Sequence, residues 1–205
     1  MLTRLSVTGM NLIETQRSIM KQLITAAVVA ITLLASPLSE AKNFRGQYFQ
    51  CLKEKPIEYP GTIFDAATDS ETLASLGINL DTLVTAVTLA DPAIAEALQA
   101  DGNLTVFAPT SEAFAALPDY VFNGLVGDQA TLTAVLQYHV IGKRFDPRRA
   151  FFPRKINTLL GSDLFFYLDK GKPMVNQSSF VTGCTGVKTT NGTVWVIDSV
   201  LLPQF

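Results

Sequence analysis

The sequence predicts an α+β domain, and three observations carry that reading. Before Gly142, apolar residues recur every three or four positions between helix-capping signals. After Gly142, β-branched and aromatic residues take over in short runs. Within that second half, Asn191-Gly192 is a hairpin-turn signal. Helices that come early and strands that come late define the α+β class.

Residues 42–60 form an N-terminal arm whose Phe44, Tyr48 and Phe49 give it apolar surface to pack. Thr62 opens the first helix. Its hydroxyl caps free amides, Asp65 three positions on completes a short capping box, and Leu73 and Leu76 extend the apolar stripe to Gly77. Leu80, Leu83, Val84 and Val87 mark one face of the next helix. Asp91-Pro92 starts another, with an N-cap carboxylate and a proline where its missing N–H costs nothing. Ile94, Ala97 and Leu98 are its buried stripe, and Gly102 ends it.

Leu104 to Phe107 is a strand, stopped by Pro109 and Thr110. A short helix follows from Glu112 to Leu117, closed by Pro118. Asp128 caps a further helix with Leu132, Val135, Leu136 and His139 on one face. In the second half, residues 164–168 and 193–197 are the main strands, and Asp169-Lys170-Gly171-Lys172 is a turn. Met174-Val175, Phe180-Val181 and Val187-Lys188-Thr189 are shorter strands. Val194 and Val196 point to one side of the last strand, Trp195 and Ile197 to the other. Gly192 is expected at positive φ, and Asp198 to accept backbone hydrogen bonds. There is no internal repeat, and 61–205 reads as one domain.

The front of the chain reads as an export leader. Residues 23–35 carry no charge, Lys21 precedes them, and Ser39-Glu40-Ala41 follows as a cleavage signal. This makes 1–41 a signal peptide, with Met20 as the natural start. The apolar run falls short of the ~20 residues that span a bilayer, so no stable membrane insertion is expected after cleavage. The expected location is secreted or periplasmic.

Composition excludes several classes. One histidine and two cysteines rule out a multi-histidine or four-thiolate metal centre, and no metal or cofactor is expected. A net charge of -2 gives no reason to expect nucleic-acid binding. The charge is uneven: residues 42–142 hold 4 basic and 12 acidic residues, and residues 143–205 hold 9 and 4. Cys51 and Cys184 both lie in the exported part, where they are read as a disulfide worth on the order of 5 kcal/mol on the entropic model. Two separate buried thiols are the alternative.

No G-x-S-x-G elbow accompanies His139, and Ser111 sits where a helix begins. His139 therefore reads as a hydrogen-bonded core residue rather than a base. Asp65 and Asp69 read as capping carboxylates. There is no P-loop and no dinucleotide-binding glycine pattern. Lys143, Arg144, Arg148, Arg149, Arg154 and Lys155 cluster with Phe145, Phe151 and Phe152. That segment is either a solvated loop or a surface for an acidic partner. Three sequons, at Asn103, Asn176 and Asn191, are weak signals; the first abuts a strand and the last sits in a turn.

The chain resembles the fasciclin domain family. Thr105-Val106-Phe107-Ala108-Pro109-Thr110-Ser111-Glu112-Ala113-Phe114 is similar to the family's first block, with Ser111 in place of the common Asn. Tyr138-His139-Val140 is similar to its central Tyr-His motif. Residues 191–203 are similar to its second block, with Trp195 where His is common. The resemblance covers about 60–204. It implies a β-sandwich-like wedge flanked by helices, without catalytic residues, in a secreted or surface-attached protein linked to adhesion.

The resemblance also makes Tyr138 and His139 candidate partner contacts, alongside Lys143, Arg144, Arg148 and Arg149. The function expected is non-enzymatic adhesion or matrix interaction by a monomer. Its partner would be a cell-surface or matrix protein or an anionic polysaccharide. The alternative is a carrier or sensor of a small apolar ligand, suggested by Trp195, Phe165, Phe166 and Tyr167.

Overall fold

The computed structural model describes residues 46, 48–149 and 152–203. The signal peptide and the start at Met20 lie outside the described residues, as does Phe151. The fold described here belongs to the unit Gln47–Phe205.

Residues 48–53 form helix α1 of the arm. There follow β1 (Ile57–Glu58), α2 (Ile63–Thr68), α3 (Ser70–Ser75), α4 (Asp81–Leu89) and α5 (Pro92–Gln99). The central strand β2 (Leu104–Pro109) leads to α6 (Ser111–Ala115), α7 (Asp119–Gly127) and α8 (Gln129–Tyr138). After β3 (Val140–Ile141) and a 3-10 turn at Pro147–Arg149 come β4 (Arg154–Asn157), β5 (Asp163–Asp169), β6 (Lys172–Val175), β7 (Ser178–Ser179), β8 (Val187–Lys188) and β9 (Gly192–Ile197).

The strands make two sheets. Sheet A has the order β1-β8-β9-β2-β3 and sheet B the order β4-β5-β6-β7. At the centre of sheet A, β2 and β9 run parallel, from Leu104 opposite Gly192 to Pro109 opposite Ile197. Parallel strands of this kind are buried on both faces. Val106, Ala108, Val194 and Val196 pack into the helical layer with Ile63, Leu83, Leu98, Leu132 and Leu136. Phe107, Trp195 and Ile197 pack the other way, onto Leu164, Phe166 and Val175 of sheet B. The alternation expected in the last strand is therefore real, and each of its sides feeds its own core.

Helix starts follow the expected chemistry. Thr62 caps α2 and makes the full box with Asp65. Asp91 caps α5, with Pro92 just inside, and Asp128 accepts the amides of Ala130 and Thr131 to start α8. Thr110, not Ser111, caps α6 through Ala113 N. Asp198 Oδ1 accepts the amide of Ser179, tying β9's end to β7.

Several expectations need correction. The helix from Thr62 to Leu76 is two helices, because Asp69 turns its carboxylate onto Thr72 N and starts a new one. Pro118 does not merely close a helix; it precedes α7, whose Gly124 and Gly127 weaken its helical signal. The strand expected at Phe180-Val181 is displaced to Ser178–Ser179, and Phe180 makes only a single bridge to Ile197. Strands β1, β3 and β4 were not expected.

Gly192 is also not at positive φ; among described glycines that geometry belongs to Gly77, Gly161, Gly171 and Gly183. Gly192 is needed for close approach. A Cβ there would lie 2.4 Å from Leu104 O and 2.7 Å from Ile63 Cδ1. Neither backbone nor buried helix can retreat cheaply. Gly192→Ala is expected to cost about 3 kcal/mol of stability, read as a lower urea midpoint, whereas Gly127→Ala, with nothing within 4 Å of its added carbon, should hold or raise it.

Candidate functional site

The three sequence blocks meet at one buried residue. Thr105–Pro109 of the first block lies in β2, and Phe107 N donates to His139 O at 2.9 Å. His139 Nδ1 donates to Val135 O at 2.7 Å, one helical turn back. Its Nε2 accepts the amide of Leu201, from the end of the last block, at 2.9 Å. His139 is 3% exposed. Both ring nitrogens are thus committed, and the neutral tautomer is fixed by its partners. Burial, opposed only by the Val135 bond, pulls the imidazole down to about 4 from its usual 6.5.

Tyr138 is buried next to it, with its hydroxyl donating to Asp163 O at 3.0 Å and accepting from Asn176 Nδ2 at 3.1 Å. Neither Tyr138 nor His139 reaches the surface, so in this fold neither ring is placed to touch a partner. The pair joins α8 to sheet B and to the C-terminal segment.

Asn191 does comparable work. At 2% exposure, its Oδ1 accepts Ile63 N at 2.9 Å, and its Nδ2 donates to Leu98 O and Ala100 O at 2.9 Å each. One amide thus ties the start of α2 and the end of α5 to the start of β9. Its sequon is consumed by structure. So is that of Asn176, whose Oδ1 accepts Phe165 N while its Nδ2 serves Tyr138.

The basic segment divides into a buried and an exposed part. Thr105 Oγ1, inside sheet A, accepts Phe145 N and donates to Lys143 O, both at 2.8 Å, and so anchors the segment. Arg148 is drawn inward. Its Nε and Nη2 each meet Asp146 at 2.9 Å, and its Nη1 reaches the carbonyls of Glu54 (2.7 Å), Cys184 (3.3 Å) and Cys51 (3.4 Å). Its guanidinium lies 5.4 Å from the Trp195 ring centroid.

Cys51 and Cys184 are joined in a disulfide, and Arg148 binds the backbone of both. This arginine is a clasp rather than a partner contact. Lys143, Arg144, Arg149, Arg154 and Lys155 remain exposed. Trp195 Nε1 is buried with no hydrogen-bond partner among the described residues.

Among the described residues, no group of three His, Cys, Asp or Glu side chains could hold a metal ion. Ser111 is bonded into the turn at Asn79. Asp65 and Asp69 are cap carboxylates, held below the usual range chiefly by the amides of Thr62 and Thr72. An apolar cavity between helices and sheet, lined by Phe64, Val84, Val106 and Leu136, measures about 40 Å³. Ligand pockets run to ~300 Å³ or more, so this void is far too small for the apolar cargo of the alternative reading, and the cleft of about 230 Å³ beside Ser111, Phe114 and Phe122 is also below that size.

The fasciclin domain family matches residues 79–203, and the chain belongs to that family. It is similar to Protein sll1483 of Synechocystis sp., at 36% identity over 71% of this chain and 82% of that protein. It is also similar to the cell surface glycolipoprotein MPB83 of Mycobacterium bovis, at 37% identity over 70% of this chain and 65% of that protein. Among solved structures, a FAS1 domain pair from the insect cell adhesion molecule fasciclin I shares the fold. Its TM-score is 0.50 at 19% identity, covering 61% of this chain and 45% of that one.

Two outcomes test this architecture. Unfolded chains take up a proton at a histidine near pH 6.5, whereas folded His139 resists protonation until about 4. Its contribution is therefore full above pH 6.5 and is lost as the pH falls to 4, about 3 kcal/mol in all. Urea midpoints recorded across that window should show the slope, and His139→Gln, less stable throughout, should lack it. Arg148→Lys removes the planar fork and should lower stability by about 2 kcal/mol, with faster amide exchange at residues 48–58 measured by hydrogen–deuterium exchange.

Proposed function

We propose that this chain is an exported, non-enzymatic surface module that holds the producing cell to its surroundings. One observation carries the reading. The residues that mark the family are spent on holding the fold together: His139 and Asn191 each bond across elements far apart in sequence. What remains for function is the exterior of a disulfide-tied scaffold. Recognition by a fixed surface needs only such a scaffold, and adhesion is the use that fits it.

Kinship supports the reading. A mycobacterial relative is a cell-surface glycolipoprotein, and the structural neighbour comes from a cell adhesion molecule. The leader at 1–41 would deliver the domain outside the cytoplasm. Its partner would be a cell-surface or matrix protein or an anionic polysaccharide, met by the monomer. Deleting the gene should reduce attachment of the producing cells to a surface or to each other, and adding back the full chain should restore it. Attachment unchanged by deletion would refute the proposal.

A further inference from the structure

The sequence-level charge imbalance survives folding as a difference between layers. Residues 56–142 contain no Lys or Arg and 11 acidic residues. They supply α2 to α8, the layer on one face of sheet A. Sheet B lies on the other face and carries Arg154, Lys155, Lys170 and Lys172, all exposed. None of these four is in an ion pair among the described residues; those pairs involve Arg148, Arg149 and Lys188.

The outer face of sheet B follows from its register. Lys155 stands opposite Phe165, Tyr167 opposite Met174, and Asp169 opposite Lys172. Alternation puts Leu164 and Phe166 inside, fully buried, and leaves Phe165 48% exposed. Lys155 Nζ is 4.9 Å from the Phe165 ring centroid. Residues two apart on one strand are ~7 Å apart, so Phe165 and Tyr167 form adjacent aromatic steps between Lys155 and Lys172. A core-forming aromatic has been placed on solvent with one ammonium group, that of Lys155, over its ring.

We propose that this outer face, built on Lys155, Phe165, Tyr167 and Lys172, is the docking platform for an acidic polysaccharide. It rests on the attachment reading above and names its partner class. A sugar ring presents a flat face of C–H groups that lies on an aromatic ring, and a uronate carboxylate at its edge meets a lysine. Main-chain pairing of β5 with β4 and β6 fixes the spacing of the two aromatic residues before the polymer arrives.

The charge pattern separates the polysaccharide from other partners. Lysine is depleted in the cores of protein–protein interfaces, yet it brackets this platform. Asp163 and Asp169 share the face and offset Lys155 and Lys172 there, so that residues 154–179 keep a net charge of only +2, supplied by Arg154 and Lys170. That suits one carboxylate per sugar better than the dense phosphates of a nucleic acid or an anionic bilayer.

Binding of the full chain to immobilised polygalacturonate, uncharged dextran and phosphatidylglycerol vesicles tests the platform. The chain should be retained by polygalacturonate and not by dextran, and raised salt should release it. Phe165→Ser and the double variant Lys155→Gln/Lys172→Gln should each weaken binding about tenfold with thermal midpoints unchanged. Lys188→Gln, on β8 of sheet A and so away from the platform, should bind as the parent does.

Failure of the polymer to bind, or equal binding by the platform variants, overturns the proposal. So does a preference for vesicles that Phe165→Ser leaves intact. In the deletion strain, restored attachment by Phe165→Ser as full as by the parent sinks the platform and leaves the adhesion reading standing. Attachment that never depended on the gene sinks the adhesion reading whatever the polymer does.

Discussion

The parallel pairing of β2 with β9 is the constraint on which the molecule is built. Helices α6 to α8 and strands β3 to β8 separate the two strands in the chain, so nothing local brings them together. What does so is burial on both faces at once. Val106, Ala108, Val194 and Val196 enter the helical core, while Phe107, Trp195 and Ile197 enter the core shared with sheet B. Either core alone would leave half of the pair exposed. Backbone approach at Gly192 and the side chains of Asn191 and His139 then fix the register and the ends. Because low-dielectric surroundings make an unpaired polar group costly, these buried bonds reject slipped alternatives.

That arrangement separates structure from surface. The residues that identify the fasciclin family are almost all interior, and the arginine most central to the basic segment is taken up by Asp146, Trp195 and the carbonyls around the disulfide. Sheet A also acts as a partition. Its helical side derives from a stretch without basic residues, and its other side supports sheet B with its exposed lysines. A domain of nearly neutral total charge thus presents faces of different character, and a partner is selected by face rather than by net charge.

Much of the fold was legible because its signals are local. Capping side chains act within one turn, so Thr62, Asp91 and Asp128 could be read directly as helix starts. Strand alternation in 193–197 is likewise local. Misreadings fell where a local rule competes with a distant contact. Asp69 could solvate itself or cap, and its place beside Tyr59 favours the cap. Two-residue strands such as β1 and β3 have no periodicity to read and exist only because a partner strand lies alongside. Asn191-Gly192 does lie at the turn between β8 and β9, but Gly192 is required there by the carbonyl of Leu104 and not by a positive φ.

The site divides along the same line. The sequence by itself determined the α+β class, the helix starts at Thr62, Asp91 and Asp128, the family and the interior role of its one histidine. These depend on short-range pattern or on residue types with few alternatives. Tertiary structure alone decided that Tyr138 is buried, that Arg148 serves the disulfide rather than solvent, and that Phe165 rather than Phe166 faces outward. A side chain's exposure is fixed by which elements close over it, and that information is spread over residues far apart in the chain.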